Sequence, residues 1–504
     1  MNIETKTPLY IRGTLTETEV RNKVAAKDKP DFFAPCGIPR IPGSSLRGMV
    51  RNLVEIMSYG KFEFVDDRRL YFRGLADRNT SLQNYYQGRL NAASAGILFK
   101  RGMHYFIKRT GFSPIPRADA QVKVTALGAN LAEFQHYDLG THYLVVSGDM
   151  QGKNNDWLID KPSGLSREIE IPDQDVKSYI DDNNRKKNAP HLTELAKTQD
   201  VPCFFVTWTD AEDRNRVSFG HTRNFRVAYQ ATINDHIPDP LKRSDMLDLP
   251  GALFGDERVF AGRVFFEDAF LEGPAETAFE DEKTVTLQGP KPTTYQHYLV
   301  QSDTHMSGFP RNLAHYDTRP LSSIRGHKLY WHKDTPEYKT SGYISSIDTK
   351  LCPMSPNKTF RCRIRFENLS KVELGVLLFA LDLPDGCCHK IGMGKPLGLG
   401  SVRVTPRLFI SKRIDRYRNL FAEWDPPLAD SSEHGAGIQD FKKSFEQYVL
   451  RQLGEGSAQC LWDLERMKQL EKILRFDNKP SDVKYMELTV FRERKVLPRP
   501  TEVR

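Results

Sequence analysis

Two stretches of the chain carry apolar residues at clear helical spacing. Leu46, Val50, Leu53 and Met57 form one stripe, which predicts a helix from Ser44 to about Tyr59. Pro42-Gly43 interrupts the chain just before it, and Ser44 or Ser45 is the expected N-cap. Leu374, Leu377, Leu378 and Leu381 repeat the pattern and predict a second helix. Strands are expected at Leu9–Thr16, 263–271 and 361–368, and another follows the glycine-rich stretch within 392–407. The core order is then strand, helix, strand, strand, helix, strand. It predicts an α+β fold with a ferredoxin-like (RRM-like) βαββαβ palm, an order shared by many RNA-binding modules.

The palm is expected in three pieces: 1–70, 248–270 and 346–410. Between the first two, residues 71–247 hold short apolar runs separated by polar loops, and read as a large, mostly β insertion. Residues 271–345 are rich in Pro, Gly, His and Tyr without long periodic segments, which suggests an extended hairpin or arm. The last piece, 411–504, reads as an α/β extension, helical at 440–453 and 460–475 and ending in a strand at 486–492.

Composition narrows the class only a little. Lys+Arg number 73 against 65 Asp+Glu, a net charge of +8 that permits a nucleic-acid partner without demanding one. No apolar run is long enough to span a membrane and no secretory signal is visible, so a cytoplasmic protein without a membrane partner is expected. The seven cysteines include no CxxC pair, and Cys387-Cys388-His389 is a poor zinc pattern, so free thiols are expected.

The candidate chemistry lies in two loops. The first turn of the helix after Pro42 offers free N–H groups, with Ser44, Ser45, Arg47 and Arg51 nearby, an arrangement suited to phosphate. Gly392, Gly394, Gly398 and Gly400, with Lys395, Ser401 and Arg403, form a loop that a polyanionic strand could approach closely. Its spacing fits neither a dinucleotide fingerprint nor a P-loop, so no nucleotide cofactor is expected. Basic residues interleave with aromatics at 100–109, 214–226 and 403–418, a mixture that pairs phosphates with charges and bases with rings. Asp28 and Asp31 are the carboxylates before the first loop; either could hold a divalent metal or orient a ribose hydroxyl, although loop aspartates usually just shape turns. His297, His305, His315, His327 and His332 cluster in the arm, where surface polar roles outweigh an acid/base role.

These segments together resemble the RAMP superfamily of CRISPR-associated proteins. Ile41 to Gly48 is similar to its IPGSSL(K/R)G motif, and Ala252 to Gly255 followed by Gly262 to Ala269 is similar to the "LFG…GR…DA" block of type III guide-binding backbone subunits. Gly394 to Ser401 resembles their glycine-rich loop, and 219–223 with 325–332 resembles a larger, insertion-containing subgroup; the size of the insertion, not any residue, suggests the type III-D kind. The resemblance implies a palm that grips crRNA beside the two loops, and a β-hairpin thumb at 271–345. Its implied partners are crRNA, target RNA and other CRISPR effector subunits. It also implies cleavage of target RNA with Mg2+ or Mn2+ through an aspartate before the IPGSS motif, a place best matched by Asp31 and next by Asp28. The alternatives are a non-catalytic architectural subunit of the same complex and a crRNA-processing endoribonuclease.

Overall fold

The computed structural model describes the chain except residues 76, 149–153, 165, 183–189, 211–212, 288, 339–347, 412–430, 434, 456–457, 487–489, 491–492 and 504. Its main sheet is centred on β1 (Asn2–Thr5), which lies between two strands from beyond residue 358. Next come β2 (Arg40–Ile41), α1 (Gly43–Met57) and the short helix α2 (Leu249–Phe254). The strand expected at 263–271 is split into β3 (Val264–Phe266) and β4 (Ala269–Glu272). Its partner at 361–368 is likewise split into β5 (Thr359–Arg361) and β6 (Ile364–Phe366). This part of the chain ends with α3 (Lys371–Leu381), β7 (His389–Lys390) and β8 (Ser401–Thr405).

These strands give the order β2-β4-β5-β1-β8-β7, with every neighbouring pair antiparallel. Leu271, Phe360, Ile3 and Val404 fall opposite one another across four strands, and all pack into the main core. Helices α1 and α3 contribute to the same core. Leu46, Val50, Leu53, Val54 and Met57 of α1 are buried, each worth about 1.5–3 kcal/mol of apolar transfer. Helix α3 shows more than its predicted stripe: every residue from Leu374 to Leu381 is buried, because it lies between α1 and α4 (Gly435–Leu453). Ser370 and Glu373 close the start of α3 with a reciprocal capping box.

The first strand is Asn2–Thr5 rather than Leu9–Thr16. Leu9, Tyr10 and Ile11 are buried, yet only Leu9 and Arg12 make isolated bridges there. A run of apolar residues was packed against loops, while a strand with one strongly apolar inward residue, Ile3, forms the centre of the sheet.

Residues 71–247 hold antiparallel sheets of five and of four strands and the short pair Tyr71–Phe72/Val227–Ala228, together with helices at Thr80–Asn91, Arg117–Ala126, Asp173–Asp181 and Leu192–Leu195. The arm is not an extended hairpin throughout. Lys283–Thr286 pairs with Asp348–Leu351 at its base, but Tyr295, Leu299, Leu313 and Tyr316 are buried with Leu82, Tyr86 and Phe204 of the insertion. Those apolar side chains anchor the arm in the second core. In the C-terminal piece, α4 and α5 (Glu465–Leu474) match the two expected helices; the strand expected at 486–492 lies largely outside the described residues. Among the described residues no helix is long and apolar enough to cross a membrane.

Candidate nucleic-acid interface

Helix α1 begins against the broken strand β3–β4. Phe266 stands opposite Ile364, and Phe270 stands opposite Arg361, so four steps on one strand match three on the other. The extra residue makes a bulge at Glu267-Asp268, which turns Asp268 out of the ladder. Its Oδ1 accepts the backbone N–H of Gly43 at 2.8 Å, and its Oδ2 lies 3.5 Å from Arg40 Nη1. The N-cap is Pro42, with no side-chain cap from Ser44 or Ser45, because the capping carboxylate arrives from a distant strand. Ser44 is exposed and Ser45 half-buried. Gly43 is needed for space: a Cβ there would sit 2.3 Å from the Phe266 carbonyl oxygen.

The two arginines of α1 are engaged within the protein. Arg47 donates from Nη2 to the Phe254 carbonyl at 2.7 Å and lies over the Phe254 ring. Burial, and then the charge of Arg51, lowers its pKa. Arg51 pairs with Glu55 at 2.9 Å and Glu63 at 2.7 Å. The block at 252–269 therefore has internal work: Arg263 donates to the Ala252 carbonyl and pairs with Glu373 at the start of α3.

The glycine-rich loop joins β7 to β8, and Gly392, Gly394, Gly398 and Gly400 all have positive φ. The backbone that approaches it is the chain's own. Met393 donates to Tyr10 O, Gly400 donates to Pro8 O, and a Cβ on Gly400 would sit 1.9 Å from Ile391 O. Ser401 is fully buried, its hydroxyl 2.8 Å from His332 Nδ1 and its N–H donating to Thr7 Oγ1.

What the loop does gather is positive charge. Lys390 Nζ donates to the Leu399 carbonyl at 3.2 Å. Burial, with the charges of Lys333 and Lys395 next to it, pushes its pKa down to about 7. Burial also lowers the pKa of Lys395. Lys333 pairs with Glu337 at 2.6 Å. Lys390 and Lys333 were not singled out from the sequence; Lys390 is adjacent to the loop, but nothing marks Lys333, 62 positions before Lys395.

Asp28 and Asp31 lie beside the base of the arm. Asp28 closes a short 3-10 turn and is exposed. Asp31 has its carboxylate 65% exposed, 3.9 Å from Lys29 Nζ. Its backbone is fixed: Gly13 N–H donates to its carbonyl at 2.9 Å, and Tyr10 Oη does so at 3.4 Å. Arg12 and Thr349 tie this loop to the strand Asp348–Leu351. Burial raises the Cys352 pKa, and the charges of Glu282, Asp31 and Asp281 add to that rise. Asp281 and Glu282 are thus acidic neighbours that sequence spacing did not reveal. Among the described residues no three His, Cys, Asp or Glu side chains form a group that could hold a metal ion, so Asp28 and Asp31 do not by themselves fit Mg2+ or Mn2+.

The arm histidines have structural partners. His332 is buried between Ser401 and the Cys388 carbonyl, His327 stacks on Phe62, His297 meets the Lys495 carbonyl and His305 caps a short helix. His315 is buried beside Tyr85. In the basic segment at 214–226, Arg216 pairs with buried Asp175 and Arg226 with Asp182. Part of the segment at 403–418 lies outside the described residues.

The two loops do not meet. β2, which leads into α1, is one edge of the main sheet, and β7 and β8, which frame the glycine loop, end at the other. Five strand spacings separate the edges, about 24 Å.

Residues 2–96 match the family model of the RAMP superfamily. The RAMP-matching segment contains β1, β2 and α1, together with the loop carrying Asp28 and Asp31. The match supports a CRISPR-associated, RNA-binding protein. No curated protein matches the chain.

Proposed function

We propose that the chain is the guide-binding backbone subunit of a type III CRISPR ribonucleoprotein, holding crRNA against its palm. The observation that carries this reading is the RAMP match over the residues that build β1, β2 and α1. The strand order β4-β5-β1-β8, with α1 and α3 as the two connecting helices, supports a ferredoxin-like palm. The lysines around the glycine loop supply charge for a phosphate chain, while the arginines of α1 are already occupied by the protein.

The test is binding of a fluorescently labelled single-stranded RNA by the purified chain, followed by anisotropy across a salt series. Tight binding that weakens linearly in log salt is expected, since neutralised phosphates release counterions. Binding that is absent at low salt sinks the reading.

Cleavage of the bound target strand is a second reading, favoured by Asp31. Its backbone is pinned by Gly13 and Tyr10 while its carboxylate faces solvent, where a bound strand could reach it.

A further inference from the structure

The helices of the palm pack on one face of the main sheet, and the cross-strand register shows what the other face presents. Arg40, Phe270, Arg361, Asn2 and Thr405 fall opposite one another across five strands. Their sequence neighbours Ile41, Ala269, Phe360, Ile3 and Val404 all point into the core, so this row points away from it. Phe270 is 45% exposed, with the guanidinium of Arg40 4.7 Å from its ring centroid. On the adjoining ladder, Phe265 is 42% exposed and lies under Arg365 at 5.7 Å.

The bulge at Glu267-Asp268 is what makes these two rings a pair. On β3 the inward residues are Val264 and Phe266, and on β4 they are Ala269 and Leu271. Without the extra residue, strand alternation would send Phe265 and Phe270 to opposite faces. With it, both stand on the open face. Arg403, exposed on β8, extends the basic row toward the glycine loop.

We propose that this open face is a stacking platform for single-stranded RNA, with bases on Phe265 and Phe270 and phosphates on Arg361, Arg365 and Arg403. The surface rests on the RNA-binding reading above, and connects the α1 edge of the sheet with the lysines of the opposite edge. Its chemistry fits RNA better than a protein partner. A protein interface buries a contiguous apolar patch, even though aromatics and Arg are enriched within it. Here two separate rings stand among arginines, the mixture that single strands use. Arg361 pairs with Glu272 at 2.9 Å and Arg365 with Glu267 at 3.5 Å, but all four side chains are at least 40% exposed. Such surface pairs are worth little and can be exchanged for phosphate.

The test uses the full chain with fluorescein-labelled single-stranded RNA of mixed sequence. Phe265→Ala/Phe270→Ala is expected to weaken binding at least about ten-fold at unchanged salt slope, and Phe265→Tyr/Phe270→Tyr to restore it. Arg361→Ala/Arg365→Ala is expected to flatten the log–log salt slope by about 1.4. All four positions are exposed, and unchanged thermal unfolding confirms intact folding. Equal affinity of the double alanine variant and the unaltered chain overturns the platform; if Lys395→Ala still weakens binding, the guide-binding reading survives. No RNA binding by the unaltered chain overturns both. Loss of a protein subunit or of self-association in the phenylalanine variants, with RNA affinity intact, assigns the face to protein and also overturns it.

Discussion

The Asp268 carboxylate accepts the backbone N–H of Gly43 at 2.8 Å, closing the start of α1 from 225 residues away. The positive end of the helix therefore already has an anion, one belonging to the protein. Asp268→Ala should cost about 1 kcal/mol locally, within the usual range for a lost N-cap. The expected sign is faster amide hydrogen exchange at Gly43 to Leu46, with distant helices unaffected. Unchanged exchange at those amides would falsify the capping role.

Lys390 gives a proton signature for guide binding. A phosphate drawn to this lysine cluster favours the charged ammonium and raises a pKa that burial holds near 7. RNA binding at pH 8 should then take up protons, measured calorimetrically in buffers of different ionisation enthalpy. Lys390→Met should abolish the uptake. Equal apparent enthalpies in all buffers rule out phosphate at this lysine.

Four buried histidines predict acid sensitivity. Burial is the leading cause that lowers the pKa of His221, His315 and His389 to about 4 and of His332 to about 3, against an unfolded value near 6.5. Between those values the unfolded chain binds more protons than the folded one. Stability is therefore fully present above pH 6.5 and falls as pH drops toward 4. Denaturant midpoints taken at pH 7.5, 6, 5 and 4 should decline in that order, and a flat series contradicts the assignment.

Asp31 can be tested without disturbing the fold, because its side chain is largely exposed and its structural bonds come from the backbone. Asp31→Ala in the assembled complex should stop target cutting while leaving guide affinity within about two-fold, since surface substitutions of this kind change stability little. Unchanged cutting at every site returns the chain to a purely architectural role. Metal-free cutting of repeat RNA by the isolated chain would instead favour the processing alternative.

The arm should behave as part of the second core. Leu299 is fully buried there, so Leu299→Ala should destabilise that unit by about 2–5 kcal/mol. Limited proteolysis should then open the arm, 271–345, much faster than in the unaltered chain. A free-standing hairpin would show no such change.

Helices were readable where a local pattern was enough. The stripe from Leu46 to Met57 and the leucines of α3 mark their own burial. The first strand was missed because Asn2–Thr5 has little apolar content, and Leu9-Tyr10-Ile11 is buried without forming a strand. The candidate residues stand out by their motifs, and their wiring does not. Nothing near Ser44 reveals that Asp268 caps the helix, and nothing near Lys395 points to Lys333. Phe265 and Phe270 have odd separation, so strand periodicity puts them on opposite faces until the bulge is seen.

The position of β1 also sets an order in time. It precedes both of its neighbours in the chain, β5 beginning at Thr359 and β8 at Ser401. The five- and four-stranded sheets of the insertion pair entirely within residues 94–220, and can assemble while β1 still waits for partners. Synthesis must pass Thr405 before the main sheet can close on both sides of β1. Ribosome-stalled chains ending near residue 250 should therefore hold paired insertion strands that still lack the arm side chains of their core, and an unfinished main sheet.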